Sequence, residues 1–360
     1  MKTKQPGFDS PLPRCFAATP VASVASALYG VATGLRNRGY DRQPERCVRV
    51  RPPVVSIGGI RAGGTGKTPA VMLLVPLLQE LGYTVGLLSR GYRRISREPL
   101  IIPPGGSADW EQTGDEPAMI RAACPGIWLG IGADRSENAR ALDLRIKERA
   151  VLLLDDGFQH RRLHRNLDIV CLHTGVFDDR LLPQGYLREP VGALARADVF
   201  FLIASGSHDD RITPVAERIT RLYPEKPLVI LYHEMVCWVN ARTGGETGTL
   251  PLTTPAALCG IARPERFFDL LAQQGVEPCK RMIFPDHYRY RDYDIAALRK
   301  LYSQGLITTE KDAVRLSALD NIPDGRLWYP KVRLRFSENS SLNRFSHYIN
   351  AVLKQHPAVV

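Results

Sequence analysis

The chain has 360 residues, 44% of them apolar and 24% charged, which suits a globular protein large enough for two cores. Its formal net charge of +11 points to anionic partners: phosphorylated substrates, acidic lipid or nucleic acid. Seven scattered cysteines with no C-x-x-C pair argue against a disulfide framework or a zinc site, and fit reduced thiols in a cytosolic setting.

Residues 16–35 are a run of twenty uncharged residues. As a membrane-spanning helix the run is weak, because Ala, Ser, Thr and Gly dominate and Pro20 lies inside it. A signal peptide fits the basic start and Ala25-Ser26-Ala27, but export would strand a nucleotide-type loop where nucleotide is scarce. An amphipathic helix fits the 3-4-3-4 spacing of Val21, Val24, Leu28, Val31 and Leu35. Arg36, Arg38, Arg42, Arg46, Arg49 and Arg51 follow, and residues 1–51 carry nine Lys/Arg against three Asp/Glu. An apolar stripe beside a basic cluster suits a helix lying on an anionic membrane surface; the plainer alternative is a helix packed on the protein's own core. Residues 1–50 are set apart as this N-terminal segment.

From Val54 the pattern alternates strand and helix, which predicts a P-loop-type α/β fold, a mainly parallel sheet with helices on both faces. Strand 54–57 runs into Ser56-Ile57-Gly58-Gly59-Ile60-Arg61-Ala62-Gly63-Gly64-Thr65-Gly66-Lys67-Thr68-Pro69 and then an apolar helix over 69–81. This is the layout of a phosphate-binding loop, whose backbone N–H groups wrap an anion at a helix N-terminus. Gly63, Gly64, Thr65, Gly66, Lys67 and Thr68 form the nucleotide cradle, with Lys67 on the β- and γ-phosphates and the Thr68 hydroxyl on Mg²⁺. Arg61 occupies the position where the general pattern G-x-x-x-x-G-K-[ST] asks for glycine, so it either crowds the loop or points outward. A ligand-free glycine-rich turn is the alternative.

Strand 84–89 leads into Ser89-Arg90-Gly91-Tyr92-Arg93-Arg94, and a loop rich in Gly and Pro ends at Gly114-Asp115-Glu116-Pro117. Helix 118–123, strand 128–131 and helix 136–148 precede the all-apolar strand 150–154, which ends in Asp155-Asp156. Strands 167–172 and 199–204 and helix 214–223 complete a core domain over 51–224, and strand 228–232 follows it. Segments 228–241 and 247–252 flank Thr243-Gly244-Gly245-Glu246 as a hairpin, and 225–255 is taken as the hinge. Beyond it strand 257–261, helix 264–274, strand 280–284, helix 292–304, strands 306–309 and 328–334 and helix 341–353 predict a smaller α/β domain over 256–360.

Carboxylates at the end of a strand beside the phosphate loop suit a hard cation, so Asp155 and Asp156 are candidate Mg²⁺ ligands; a turn or capping role is the alternative. Asp115 and Glu116 precede a helix, and spacing alone slightly favours helix capping over a general base for an incoming hydroxyl. His287, in Asp286-His287-Tyr288 after an apolar strand, is placed either to tune a carboxylate or to serve structure. Thr309-Glu310-Lys311-Asp312 fails the guanine pattern [NT]-K-x-D, which disfavours a GTPase and leaves adenine or a loosely read base. Arginines cluster at 90, 93, 94 and 97, at 161, 162 and 165, and at 188; guanidinium forks suit phosphate, although a charge run is as often a solvated face. Interleaved aromatics for nucleic-acid stacking are lacking.

The ordered series GGTGKTP (63–69), SRGY (89–92), GDEP (114–117), LDDGFQH (154–160), LLPQGYLREP (181–190), GIARPERFF (260–268), FPDH (284–287) and TEKDAV (309–314) resembles the tetraacyldisaccharide 4′-kinases, the lipid A 4′-kinases of Gram-negative bacteria. That resemblance implies transfer of the ATP γ-phosphoryl to the 4′-hydroxyl of an acylated glucosamine disaccharide 1-phosphate. It also implies a monotopic protein on the cytoplasmic face of the inner membrane. It assigns Asp115 and His287 to the acceptor hydroxyl, Lys67 and Thr68 to the phosphates and Mg²⁺, and Asp155 and Asp156 to metal or catalytic-network roles. Gln159 and Glu116 join the same network, with Arg90 and Arg188 as substrate contacts. The chain departs from the family pattern at Gly59, Arg61, Arg93 and Arg94. Asp115 lies before the junction and His287 beyond it, so the two are expected to meet only when the domains close. The rival readings are a kinase or ligase acting on a soluble small molecule, and a nucleotide switch recruited to a membrane.

Overall fold

A computed structural model describes residues 19–147, 149–204, 209–291, 294, 305–316 and 325–355. They fall into two compact units, and the chain passes between them more than once. One unit takes the described residues up to Leu88, those from Asp134 to Tyr232 and those from Arg335 onward; the other takes Ser89–Ala133 and His233–Leu334. This corrects the contiguous division at 224–256, and it moves Asp115 into the unit that holds His287. Most of the helix expected over 292–304 lies outside the described residues.

The first unit is built on an all-parallel sheet. Its strands are β1 (Val54–Gly58), β2 (Thr84–Ser89), β5 (Ala150–Asp155), β6 (Leu167–Leu172), β7 (Val199–Ala204) and the first half of β8 (Leu228–Asn240). Neighbours run β2-β5-β1-β6-β7-β8, each pair parallel. Every residue of β1, β5, β6 and β7 is buried, as expected of strands covered on both faces. Each buried Leu, Ile or Val there stabilises the fold by roughly 1.5–3 kcal/mol. β5 and β6 follow one another in sequence yet flank β1 on opposite sides, so β1 ends at a switch in strand order. The phosphate loop begins at that end. The terminal helix Asn339–Lys354 buries Phe345, Ile349 and Leu353, and Phe345 packs edge-on against Phe201 of β7.

The N-terminal helix α1 (Pro20–Arg42) belongs to this unit and is N-capped by Thr19. It buries only Ala22 and Ser26, and Ser26 Oγ donates to the Leu181 carbonyl at 3.0 Å. Val21, Val24, Leu28, Val31 and Leu35 are exposed, from 59% to 66%. The stripe read from the sequence therefore does not pack on the unit's own core. Among the described residues no helix is long and apolar enough to cross a membrane.

In the second unit β10 (Ala256–Cys259), β11 (Lys280–Ile283), β12 (Leu306–Ile307) and β13 (Leu327–Phe336) pair in parallel, in the order β11-β10-β12-β13. The second half of β8 forms the expected hairpin with β9 (Glu246–Thr247), with Trp238 opposite Thr247 and Val239 opposite Glu246. Strand β3 (Leu100–Ile102), not foreseen in the Gly/Pro-rich stretch, pairs antiparallel with β4 (Trp128–Ile131). A three-residue strand leaves too short an alternation to read.

Candidate active site

The phosphate loop is shaped by glycines where side chains are excluded or the backbone turns left-handed. Gly63, Gly64 and Gly66 have φ of 71°, 35° and 81°. A Cβ on Gly58 would lie 2.5 Å from Phe158 Cβ, so β1 and the 155–160 loop touch only because that position is bare. Helix α2 (Lys67–Glu80) starts at Gly66 with no side-chain cap and no acidic residue in its first turn. Its free N–H groups and partial positive charge stay available to an anion. Thr65 Oγ1 is buried with no protein partner among the described residues, a donor suited to a phosphate oxygen.

Arg61 turns away from this cradle. Its guanidinium pairs with Asp179 at 2.6 Å and stacks over Tyr186, 4.3 Å from the ring centroid. Asp179 also accepts the Tyr186 N–H at 3.0 Å, and the Ala62 N–H donates to the Tyr186 carbonyl at 2.8 Å. The residue that breaks the general loop pattern thus fastens the loop's first half to the 179–188 segment.

That segment delivers Arg188 to the site. Arg188 Nη1 donates to Asp156 Oδ2 at 2.7 Å and to Gln159 Oε1 at 3.2 Å, while Lys67 Nζ lies 3.2 Å from Asp156 Oδ1. Gln159 Nε2 donates to the Gly59 carbonyl at 3.0 Å and to Glu189 at 2.8 Å. Glu189, itself buried, is held by Arg196 at 2.8 Å and by Asn37 of α1 at 2.5 Å. Burial pushes the Asp156 carboxyl up, but the Lys67 and Arg188 charges outweigh it and hold it below its ordinary value. Asp156 adopts φ 49°, in the left-handed region. Asp155 is buried at the end of β5, in register with Ile57 beside the start of the loop. Lys67, Asp156, Gln159 and Arg188 are thus gathered; Asn37 and Arg196 were missed because they lie in no motif, and Glu189 because it was read only as part of the 181–190 series.

The second unit gathers the other group. Asp115 starts helix α4 (Asp115–Ala123), but Gly114 holds the capping position, so the capping reading is corrected. Asp115 Oδ1 accepts the Glu116 N–H at 2.9 Å, and Oδ2 lies 2.8 Å from His287 Nδ1. Burial pushes the Asp115 carboxyl up; the His287 hydrogen bond and the charges of Lys311 and Arg315 pull it below its ordinary value of 3.8. Lys311 Nζ lies 3.0 Å from His287 Nε2, 3.5 Å from Asp286 Oδ1 and 3.8 Å from Asp115 and Glu116. Asp115 and His287 meet within one unit, so no domain closure is needed to join them.

His287 is held at φ 58° by backbone partners. Its N–H donates to the Gly260 carbonyl at 3.2 Å, and Arg93 donates to the carbonyls of Asp286 and His287 at 2.8 and 3.4 Å. Arg93 itself stands at φ 60°, where glycine is favoured, so a residue read as part of a basic cluster serves as a clamp. Below it, fully buried Asp312 accepts from the Gly260 N–H, Thr309, Tyr290 and Arg315 at 2.6 to 2.9 Å. The residue that spoiled the guanine pattern is therefore the anchor of the His287 loop. Arg90 is exposed at the start of the 90–94 loop in the same unit.

The profile of the family described as tetraacyldisaccharide-1-P 4′-kinase matches residues 19–350. A tetraacyldisaccharide 4′-kinase of Syntrophus aciditrophicus (strain SB) is 36% identical, covering 83% of this chain and 84% of its own. One of Gluconobacter oxydans (strain 621H) is 37% identical over 84% and 88%. The solved structure of LpxK from Aquifex aeolicus, described as an "apo" form in complex with ATP, superposes with a TM-score of 0.75 at 29% identity. It covers 95% of this chain and 100% of that one. With that match running the length of both units, the chain belongs to the tetraacyldisaccharide 4′-kinase family.

Proposed function

We propose that the protein transfers the γ-phosphoryl group of ATP to the 4′-hydroxyl of a tetraacylated glucosamine disaccharide 1-phosphate, the step that yields lipid IVA in lipid A biosynthesis. The observation that carries the reading is the uncapped glycine cradle with Lys67 poised beside Asp156 and Arg188. Gly63 to Thr68 bind the triphosphate through backbone N–H groups, and Lys67 neutralises charge on the transferring group. Thr68, Asp155 and Asp156 would hold Mg²⁺, since they supply only oxygen donors, a set that fits that ion. When bound there, the ion would supply positive charge to offset that of the phosphates. Arg188 steadies Asp156, and Gln159 steadies the loop through the Gly59 carbonyl.

On the acceptor side Asp115 takes the hydroxyl proton as general base, and His287 orients its carboxylate. Glu116 and Arg90 are assigned to the lipid headgroup. Incubation with labelled ATP, Mg²⁺ and the acylated disaccharide 1-phosphate in mixed micelles should label the lipid. ATP hydrolysis with no labelled lipid would refute the reading.

The site of action is proposed to be the cytoplasmic face of the inner membrane, with α1 lying on its surface. The support is α1, whose exposed Val and Leu stripe runs into Arg36, Arg38 and Arg42. Val24→Glu with Leu28→Glu should lower flotation with anionic phospholipid vesicles by at least about tenfold. Both residues are exposed, so the thermal midpoint should stay put. Unchanged flotation would remove α1 from the contact.

A further inference from the structure

His287 sits between two opposite charges. Asp115 Oδ2 lies 2.8 Å from Nδ1, and Lys311 Nζ lies 3.0 Å from Nε2. An ionised carboxylate only accepts, so Nδ1 carries a hydrogen; an ammonium only donates, so Nε2 offers its lone pair. One protonation state satisfies both contacts: the neutral ring with its proton on Nδ1. An imidazolium would aim a second N–H at the ammonium. We infer that Lys311 is a positioning residue for the kinase reaction, fixing His287 in the Nδ1–H tautomer so that Asp115 alone takes the acceptor's proton.

The surroundings support this assignment. Asp286 Oδ2, 3.7 Å from Nε2, is the described carboxylate that would favour a proton there, but it lies beyond hydrogen-bond reach. Asp286 Oδ1 instead faces Lys311 at 3.5 Å. Glu116 meets Lys311 at 3.8 Å, and Arg315 adds positive charge near Asp115. Tyr92 presents its ring edge-on to His287 with centroids 5.3 Å apart. Arg93 binds backbone carbonyls and leaves both ring nitrogens alone. Lys311 itself is only 17% exposed and is delivered by helix α8 (Glu310–Leu316), which is pinned through Asp312 and Arg315.

The consequence for the reaction is specific. As the acceptor oxygen forms its bond to the γ-phosphorus and the bond to the ADP oxygen breaks, the hydroxyl proton goes to a carboxylate oxygen of Asp115. The ring, its Nε2 lone pair engaged by Lys311, does not relay the proton onward. Its Nδ1–H stays on Oδ2, leaving a lone pair of Asp115 free to accept. The inference rests on Asp115 as the base.

The test uses full-length protein labelled with ¹⁵N-histidine and long-range ¹H–¹⁵N spectra. The chain has eight histidines, and His287 is assigned by the signals lost in His287→Gln. At pH 7 the wild-type ring should show a protonated Nδ1 and a bare Nε2; a protonated Nε2, in either the other tautomer or an imidazolium, overturns the inference. Lys311→Met should let Nε2 gain a proton at pH 7 while Nδ1–H stays on Asp115, and the acid limb of kcat/KM should move up by roughly one pH unit as a ring protonated at both nitrogens weakens Asp115 as a base. Lys311→Arg should restore both in part. A Lys311→Met protein that keeps both the bare Nε2 and the limb also overturns it. Should Lys311→Met fail to fold, the wild-type spectrum alone decides. Full turnover in Asp115→Asn would instead sink the base assignment, while the spectrum would still report what Lys311 does to the ring.

Discussion

Lys67→Met is expected to lower lipid phosphorylation by at least about a thousandfold, the range seen when a preorganised charge facing a developing anion is removed. The side chain sits 3.2 Å from Asp156 and is mostly buried, so its ammonium is already desolvated and aimed. Little further reorganisation is needed when phosphates arrive. Methionine keeps the length and packing of the stem while deleting the charge. It leaves Asp156 paired to Arg188 alone at 2.7 Å. Lys67→Arg should not rescue, because a planar fork cannot replace a compact point charge inside a glycine cradle. The measurement is initial rate with labelled ATP at saturating lipid, alongside a melting curve. Residual activity within tenfold of wild type would show that the loop does not hold the transferring phosphates.

Asp115→Asn is expected to lower kcat by roughly 10²–10⁴-fold with the KM for ATP unchanged, as befits loss of a general base and not of a nucleotide contact. Asparagine keeps the shape and can still accept from His287 Nδ1, so the 2.8 Å contact survives and only basicity is lost. The sign with pH follows from the direction of the shift. The carboxyl is held below 3.8 in the folded protein, so it stays ionised throughout the neutral range. The loss should therefore be even from pH 5 to pH 8, not a displaced bell. The same shift makes Asp115 stabilising above its unfolded pKa, a contribution lost as pH falls through the folded value. A near-full kcat, or a defect that appears only above pH 7, would argue against Asp115 as the base.

Much of the site was legible because it is written in local chemistry. The strand, the glycines, Lys67-Thr68 and the following helix form one contiguous segment, and only one backbone path satisfies them. Strand β5 ending in Asp155-Asp156 was likewise readable from its apolar run. The α1 stripe was legible as a spacing, but whether it faced a core or solvent depended on what lay against it.

Contacts between distant segments were not legible. Arg61 looked like a defect in the loop until Asp179 and Tyr186, more than a hundred residues on, were seen to hold it. Lys311 belonged to a failed guanine motif, and only the fold sets it beside His287. Arg93 reads as one charge in a cluster, whereas its left-handed backbone and carbonyl partners make it a clamp.

By itself the sequence determined the element types, the parallel character of the sheet and the loop that takes phosphate. These follow from hydrophobic period, glycine freedom and helix termini, all of which act within about a dozen residues. Tertiary structure decided which segments share a unit, placing Ser89–Ala133 with His233–Leu334 so that Asp115 meets His287 without any rearrangement. It also decided the charge environment of each carboxylate. The physical reason is range: a backbone preference is set by neighbours along the chain, while a buried charge is set by whichever groups folding brings within a few ångströms.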